Sequence, residues 1–397
     1  MGFAIVAIGY NRKNDFARLI ESLLRVDYQN DCVDLIMSID NSGKKEVEEY
    51  ADSVVWPFGQ TRVITFPERQ GLKQHILKCG KFLEEYEAIV VLEDDIVVSP
   101  AFYNYAKQSV NRYIDDDNIA GISLYSHQWN PYIKLDFIPH SSAFDVYFLQ
   151  TAQSWGQIWL KRQWNEFVKW YEVQDGFEMT PEIPGQIGNW GKNSWLKYHI
   201  KYCIEKNKYF VFPYHSLSTC FSSVGEHSND ETNILQVPMQ IDPVFKYRLP
   251  EFGNAKAVYY DAFFERQRTL SACLGLDEYN LSVDLYGLKM KQDIKRRYLL
   301  SCRVLPYKVT KSFARSLRPH EDNIVMGIEG NDFFLYDTTS SSHQHGMQDV
   351  VKQYIYYHKI FADTQTLAKT AHKQFYYQIP KKLNKILKKV KRIGKEE

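Results

Sequence analysis

Three consecutive carboxylates, Glu93, Asp94 and Asp95, lie between two apolar runs in the stretch IVVLEDDIVVSP, residues 89–100. Strand side chains face alternate sides, so three adjacent acids inside a strand would put negative charge on both faces. This conflict disappears if the strand ends there and opens onto a cleft. Gathered carboxylates repel one another, and a hard divalent cation that also holds a diphosphate relieves the repulsion. The pattern predicts a metal-assisted nucleotide-sugar site.

The three acids are expected to play different parts in that site. Asp95, the last of them, is the candidate ligand of Mg²⁺ or Mn²⁺, whereas Asp94 and Glu93 are expected to orient water, ribose or sugar hydroxyls. The alternative is a solvated loop end. The apolar flanks VVL and IVV favour a buried strand over that alternative.

Other polar residues follow the preceding apolar runs of the chain. Asn11 and Arg12 come after the first run, where a guanidinium can fork onto phosphate oxygens; the alternative is a surface arginine. Asp40 closes the second run and could accept from an N–H of a pyrimidine, or cap an Asx turn. Gly71 and Lys73 lie where the third unit enters its helix; they could admit and attract a phosphate, or simply start a helix. The chain has no GxxxxGK[ST] phosphate loop.

The polar segment SSVGEHSND supplies the remaining candidates. His227 could reach the cation or the diphosphate as a second protein ligand, although a lone histidine in such a loop is often structural. Glu226 and Asp230 could serve as the base that deprotonates the acceptor, as could Asp145. Their spacing singles out none of them.

The first hundred residues predict the elements that must position these groups. Apolar runs at residues 3–8, 33–39, 61–66 and 88–92 are typical of strands, and segments with helical spacing lie between them. Four such units imply a mainly parallel α/β sheet with helices on both faces, which binds ligands at the carboxyl ends of its strands. We therefore expect the strand ends to converge on one cleft.

The later parts of the chain differ in composition. Residues 121–225 are rich in aromatic side chains, which suit either an ordinary core or a sugar-binding wall. A nucleotide-binding half at 1–120 and an acceptor half at 121–250 would form a catalytic domain of residues 1–250. Residues 251–397 are predicted to be a mostly helical accessory region, with helices at 263–275 and 290–305 and a small β element at 323–337. Two histidines in the loop 340–346 are expected to be solvated.

The C-terminal stretch 381–395 carries eight basic residues and no acid. Its apolar residues share one helical stripe, which predicts an amphipathic basic helix. Such a helix suits an anionic membrane surface, and the alternative is a solvated helix packed on its own protein.

Composition excludes several classes of protein. With 397 residues, 44% of them hydrophobic, the chain can furnish a full core, and its net charge of +1 gives no overall bias toward nucleic acid. The six cysteines show neither a CxxC pair nor a zinc spacing, which favours reduced thiols in a cytoplasm. The sequence shows no signal-peptide pattern and no eighteen-residue apolar run. We expect a cytoplasmic protein that is peripheral at the inner face of the plasma membrane.

The order of IVAIGYNR, DLIMSIDNSG, FPERQGLKQHILKCG and VVLEDDIVVSPAFYNY, followed by SWGQIWLKRQW, NSWLKYHI and SSVGEHSND, resembles inverting GT-A glycosyltransferases. The similarity covers roughly residues 1–235. It is to bacterial polysaccharide enzymes and the N-acetylglucosaminyltransferase I type. The resemblance implies that Arg12 meets the nucleotide phosphates, Asp40 the uracil and Asp95 a manganese ion. By the same resemblance, Glu93 and Asp94 line the donor sugar and the ribose.

One departure from that family concerns the catalytic base. Relatives place an aspartate beside the tryptophan of the segment that reads NSWLKYHI here, whereas this chain has Asn193, Ser194 and Leu196 around Trp195. None of these three side chains can take a proton as a carboxylate does. Either the base comes from elsewhere, with Glu226 or Asp230 as candidates, or the alignment is shifted, or catalysis is impaired.

These observations predict an enzyme that moves a hexose or N-acetylhexosamine from a UDP-sugar to a hydroxyl of a lipid-linked surface polysaccharide or oligosaccharide. The first alternative is a protein of the same fold that only binds glycan or nucleotide. The second is a sugar nucleotidyltransferase, which would be expected to carry a Gly-rich loop with Arg after the first strand. GYNRKND is not such a loop.

Overall fold

A computed structural model describes residues 2–221, 234–289, 296–342 and 350–358, together with a few residues between 365 and 373. The chain is divided into two compact units, Met1–Gln348 and Asp349–Glu397. The second unit is described mainly by one helix, Val350–His358. No helix in the described ranges is both long and apolar enough to cross a membrane. The predicted basic helix at 381–395 lies outside them, as does most of the loop at 340–346.

In chain order, the strands are β1 Phe3–Gly9, β2 Asp34–Ile39, β3 Thr61–Thr65, β4 Ala88–Glu93, β5 Ile96–Val98, β6 Ile119–Ser123, β7 Trp129–Asn130, β8 Leu135–Asp136, β9 Val146–Leu149, β10 Gln157–Leu160, β11 Tyr209–Pro213, β12 Ser218–Cys220, β13 Tyr259–Tyr260, β14 Leu281–Asp284, β15 Tyr298–Ser301, β16 Tyr307–Phe313 and β17 Phe333–Ser341. The α-helices are α1 Lys13–Leu23, α2 Glu46–Ser53, α3 Leu72–Cys79, α4 Phe102–Tyr113, α5 Lys161–Glu172, α6 Leu196–Glu205, α7 Thr269–Leu274, α8 Asp322–Val325 and α9 Val350–His358.

A nine-stranded sheet with the order β13-β9-β11-β6-β10-β4-β1-β2-β3 forms the centre of the first unit. Strands β3, β2, β1 and β4 are neighbours and run parallel. Beyond β4 the sheet becomes mixed, because β10 runs antiparallel to both of its neighbours and β9 runs antiparallel to β11. The predicted α/β fold with a mainly parallel sheet is confirmed.

Helices cover both faces of this sheet. On one face, alternate residues of β1 and β4 join the buried side chains of α1 and α4 in the main hydrophobic core, with Phe16 of α1 fully buried. On the other face, Trp159 of β10 stacks on Trp164 of α5 at 3.7 Å between ring centroids and contacts Trp195 beside α6. Both sides of the central strands are therefore apolar, which explains their unbroken hydrophobic sequences.

Gly9 ends β1 where α1 packs closely against the sheet. A Cβ atom there would lie 2.9 Å from Ile39 and 3.0 Å from Phe16. The absence of a side chain therefore allows the helix to start immediately beyond the strand. This close packing places Arg12, the residue before α1, at the end of β1.

Four strands in the C-terminal part of the first unit form a separate sheet with the order β14-β15-β17-β16 and a separate hydrophobic cluster. The predicted small β element at 323–337 is present only from Phe333, where β17 begins, because Asp322–Val325 forms helix α8. The predicted mostly helical character is wrong for the described part of 251–342. Tyr298–Ser301 is a strand where a helix was expected, and in 263–275 the helix includes only Thr269–Leu274.

The helix prediction at 290–305 failed because LLSC is a short apolar run whose periodicity cannot distinguish a strand from a helix. Pairing with β14 and β17 makes this segment a strand.

The predicted domain boundary near residue 250 remains a prediction.

Gly80 provides a test of the packing between α3 and α5. A Cβ atom at Gly80 would lie 2.2 Å from the indole nitrogen of Trp164, which is held by its stack on Trp159. We expect Gly80→Ala to lower the free energy of unfolding by about 1–3 kcal/mol because overpacking displaces the indole. Urea unfolding followed by tryptophan fluorescence measures this loss.

Gly185→Ala is the matched control. Gly80 begins the 3-10 helix Gly80–Glu84 and Gly185 begins the 3-10 helix Gly185–Asn189, but a Cβ atom at Gly185 meets nothing within 4 Å. We expect its effect to stay within about 0.5 kcal/mol. Equal stability of the two variants would contradict the described contact between Gly80 and Trp164.

Candidate active site

The carboxyl ends of four parallel strands meet at one edge of the central sheet. Glu93 ends β4 at the level of Ile8 in β1, and Gly9 is level with Ile39 in β2. The residues that follow these strands therefore lie along the same edge, as expected for a parallel sheet. Asp94 and Asp95 form the turn between β4 and β5.

Arg12 joins the ends of β1 and β4. Its Nε donates to Asp94 Oδ2 at 3.2 Å, and its Nη2 also donates to the other oxygen of Asp94. The same Nη2 lies 3.4 Å from Asp95 Oδ2, and Nη1 lies 3.6 Å from Asp15 Oδ2. The side chain of Asp94 is 9% exposed and that of Asp95 is 28% exposed. The guanidinium thus binds both carboxylate oxygens of Asp94, whereas the side chain of Asp95 is more accessible.

The cluster holds more carboxylates than cations, and it is also buried, which raises the pKa values of its acids. Burial, followed by the charges of Asp95 and Asp94, raises the pKa of Glu93 to about 8. Burial raises the pKa of Asp94 to about 6, although the hydrogen bond from Arg12 opposes the rise, and burial also raises the pKa of Asp95. Burial disfavours the Arg12 cation, but its hydrogen bond and ion pairs with these acids outweigh that effect and raise the pKa of Arg12.

Strand β12 covers the acidic turn and adds a residue that the sequence did not suggest. Cys220 pairs with Ile96 of β5, and the N–H of Phe221 donates to the carbonyl of Asp95 at 2.7 Å. Burial raises the pKa of the Cys220 thiol, and the charges of Asp95 and Glu93 raise it further. Only the pairing of β5 with β12, about 120 residues apart in sequence, brings this thiol to the site.

Asp40 is buried at 4% exposure and serves as a backbone acceptor. Its two oxygens accept N–H bonds from Asn41, Gln70 and Gly71 at 2.7–2.9 Å. The carboxylate therefore ties the end of β2 to the loop that precedes α3. A carboxylate offers about four acceptor positions, so one position is left for another donor. The predicted contact with a nucleobase stays a prediction.

Gly71 and Lys73 begin the α3 segment. Gly71 has φ +73°, which favours glycine, and a Cβ atom there would meet nothing within 4 Å. The ammonium group of Lys73 lies 4.7 Å from the ring centroid of Tyr198 and 5.3 Å from that of Tyr171. The contacts of Lys73 are thus with α5 and α6 rather than with the carboxylates.

The remaining predicted residues are distributed unevenly. Asn11 is exposed next to Arg12. Glu226, His227 and Asp230 lie outside the described residues. Asp145 binds Arg248, with Nη2 2.7 Å from Oδ1, so its carboxylate already has a cationic partner.

Several aromatic residues that could have formed a sugar-binding wall are core residues instead. Trp159, Trp164 and Trp195 are exposed by only 0%, 3% and 3%. They form the layer between the sheet and helices α5 and α6. For these three tryptophans, the ordinary core was the correct alternative.

The donor set at the acidic turn fits a hard cation in chemistry but supplies few ligands. Carboxylate oxygens suit Mg²⁺ or Mn²⁺. Among the described residues, however, no group of three or more His, Cys, Asp or Glu side chains could hold a metal ion. Since Arg12 holds Asp94, Asp95 is the carboxylate with room for a ligand. A cation there would need most of its ligands from a bound diphosphate and water.

No protein-family model matches the sequence, and no curated protein matches it either. Among solved structures, S. aureus TarS 1–349 in complex with UDP-GlcNAc is 12% identical over 57% of this chain and 60% of that chain, with a TM-score of 0.38. GalNAc-T7 with UDP, GalNAc and Mn²⁺ is 13% identical over 54% and 42%, with a TM-score of 0.38.

A third similar structure is the mannosyltransferase PcManGT from Pyrobaculum calidifontis in complex with GDP-Man and Mn²⁺. It is 13% identical over 43% of this chain and 46% of that chain, with a TM-score of 0.30. This chain covers at most 60% of the length of any of the three structures. At these TM-scores the likenesses carry no argument about function, so the description of the fold rests on the sheet itself.

Removing the guanidinium tests its part in the cluster. We expect Arg12→Ala to lower the free energy of unfolding by about 3 kcal/mol, because it leaves buried carboxylates without a counter-charge. Adding Asp94→Asn to that variant should recover at least about 1 kcal/mol, since a neutral amide replaces the unpaired charge. Urea unfolding of the four proteins of this cycle, measured without metal, gives both values.

Arg162→Ala is the control for that cycle. Its partner Asp117 is 74% exposed, so we expect a loss below about 1 kcal/mol. Additive effects of Arg12→Ala and Asp94→Asn would show that the two side chains do not stabilise each other.

The raised pKa of Glu93 predicts that the stability of the protein depends on pH. Because its pKa is raised in the folded protein, folding is favoured below the ordinary pKa of 4.5, and this stability is lost as the pH rises through about 8. The loss is at most about 1.4 kcal/mol per pH unit. Glu93→Gln should flatten the decline between about pH 5 and pH 8, and exposed Glu84→Gln should not. An unchanged decline in Glu93→Gln would rule out this carboxyl as its source.

Proposed function

We propose that this protein is a metal-dependent, inverting glycosyltransferase of the GT-A type that uses a UDP-sugar as donor. The observation that carries the proposal is the acidic cluster at the ends of β1 and β4, where Arg12 pairs with Asp94 and leaves Asp95 28% exposed. An edge with one accessible carboxylate, a guanidinium and two further buried acids suits a cation-bound diphosphate. The sequence resemblance supports the same reading.

The donor nucleotide would lie along the edge formed by β4, β1 and β2. Arg12 has Nη1 directed at Asp15 from 3.6 Å, and a phosphate could compete for that group. Asn11 would contact the phosphates or ribose. Asp40 would hold the loop at Gly71 in place and use its remaining acceptor position for an N–H of uracil.

Asp95 would be the protein ligand of Mn²⁺ or Mg²⁺, with His227 as a second candidate. When bound, the cation would neutralise charge on the departing diphosphate. Glu93 and Asp94 would orient the ribose and the donor sugar. Asp94 can do so because Arg12 fixes both of its oxygens.

Inversion requires a base on the face opposite the leaving diphosphate. Glu226 or Asp230 would accept the proton of the acceptor hydroxyl as its oxygen attacks the anomeric carbon. The residues around Trp195 cannot take this proton. Trp195 itself is buried against Trp159.

The acceptor would be a glycan, and we propose a lipid-linked surface polysaccharide or oligosaccharide. The basic helix predicted at 381–395 would hold the enzyme at the anionic inner face of a bacterial membrane. The donated sugar would be a hexose or an N-acetylhexosamine.

A protein of this fold that binds nucleotide or glycan without catalysis is the second candidate. It is favoured by one observation, the replacement of the expected aspartate near Trp195 by Asn193, Ser194 and Leu196. UDP release from a UDP-sugar separates the two candidates. Only an enzyme accelerates that release.

Asp95→Asn tests the proposal. We expect UDP with Mn²⁺ to raise the thermal midpoint of the wild-type protein, because a ligand that binds only the folded state stabilises it. In Asp95→Asn we expect the shift to disappear and UDP release from a UDP-hexose or UDP-N-acetylhexosamine to fall at least about 100-fold.

Glu87→Gln is the matched control at the other end of β4. Glu87 is exposed, and its partner Lys161 is 3.6 Å away. This variant should retain both the thermal shift and UDP release. An Asp95→Asn protein that binds UDP with Mn²⁺ as tightly as wild type would falsify the proposed metal site.

A further inference from the structure

A second charged cluster lies between α3 and α6, apart from the carboxylates. We define the lysine–aromatic cluster as Lys73, Lys197, Tyr171, Phe177 and Tyr198. The ammonium groups of Lys73 and Lys197 lie 4.7 and 5.7 Å from the ring centroid of Tyr198. Lys197 also lies 4.8 Å from the ring centroid of Phe177. Two cations thus share one aromatic ring.

The positive charge of this cluster is not balanced within the described residues. Lys73 makes the two cation–π contacts but no ion pair or hydrogen bond there, and Lys197 donates to the carbonyl of Trp190 at 3.4 Å without a carboxylate partner. Lys197 is only 6% exposed. Burial and then the charge of Lys73 lower the pKa of Lys197. Holding two like charges together in this way costs free energy that a bound anion would offset.

Lys201, the next lysine of α6, differs from Lys197 because it has a carboxylate partner. Lys201 lies one turn after Lys197, and its ammonium group is 3.5 Å from Glu205 Oε1. Lys201 also lies 5.7 Å from the ring centroid of Phe177, but its charge is paired within α6. Helix α6 leaves Lys197 to face Lys73 across Tyr198.

The chain around the cluster provides the other features of a ligand site. Residues 173–195, which include Phe177 and the 3-10 helix Gly185–Asn189, connect α5 to α6. Phe177 is half-buried and offers a ring face of the kind on which sugars pack, whereas Tyr198 is only 7% exposed and is contacted by the two lysines. Lys73 follows Gly71, which Asp40 binds at the candidate donor edge.

We propose that the lysine–aromatic cluster binds an oxyanion, a phosphate or a carboxylate, carried by a sugar of the acceptor. The acceptor glycan would therefore be acidic. This inference rests on the proposed function, because only a glycosyltransferase has an acceptor. Lys73 and Lys197 would bind the charge, and Phe177 would contact the sugar ring. The cluster would thereby select a charged glycan over a neutral one of the same shape.

Binding of simple charged sugars tests this site without an intact acceptor. We expect glucose 6-phosphate and glucuronate to bind the full-length protein, measured by isothermal titration calorimetry, and glucose to bind at least about tenfold more weakly. Raising the salt concentration should weaken the binding of the charged sugars, because partly exposed charges are screened. Inorganic phosphate serves as the sugar-free probe.

Three variants locate the binding. Lys73→Gln and Lys197→Gln should each weaken glucose 6-phosphate at least about tenfold, because each removes a charge-assisted hydrogen bond. Lys206→Gln, an exposed change just after α6, should have no effect. Lys73 is less buried than Lys197, so Lys73→Gln keeps the test decisive if Lys197→Gln does not fold.

The outcomes are separable from those of the donor site. Retention of glucose 6-phosphate binding in Asp95→Asn is expected and would hold even if UDP binding failed. The inference is overturned if glucose binds as well as glucose 6-phosphate, if inorganic phosphate binds as tightly as the charged sugars, or if Lys73→Gln binds like wild type.

Discussion

The salt bridge between Arg12 and Asp94 is the interaction on which the candidate site depends. It connects the ends of two parallel strands, β1 and β4, that are adjacent in the sheet but about eighty residues apart in sequence. Three carboxylates gathered at the end of a buried strand would otherwise repel one another. One guanidinium can offset only part of that charge, and burial together with the charges of Asp95 and Asp94 keeps the pKa of Glu93 raised. The site is therefore built with an excess of negative charge that a cation can relieve.

The sheet can carry this charge because both of its faces are apolar. Side chains of α1 and α4 cover one face, and the stacked pair Trp159 and Trp164 covers the other. Polar groups are thereby displaced to the strand ends, where loops provide partners for them. Asp40 illustrates the principle, since it is buried but accepts three backbone N–H bonds. These backbone hydrogen bonds, together with the ion pairs, hold the loops at this edge of the sheet in place.

Two clusters of opposite sign thus lie in the same unit of the chain. The acidic cluster follows β4, and the lysine–aromatic cluster joins α3 to α6. Gly71 and Lys73 link them in sequence, because Asp40 binds the first and Tyr198 contacts the second. An enzyme that joins two anionic substrates would require such a separation, with a cation at one site and protein ammonium groups at the other.

The sequence was enough to predict the parallel part of the sheet and the acidic turn, because unbroken apolar runs and three adjacent carboxylates are local signals. It also placed Arg12 and Asp40 at strand ends. It did not determine that β15 is a strand, since LLSC has no period that distinguishes strand from helix and only pairing with β14 and β17 decides it. Likewise, contacts between distant segments decide which residue Arg12 binds and bring Lys73 and Lys197 to the same ring of Tyr198. Such contacts depend on long-range packing, which leaves no local pattern in the chain.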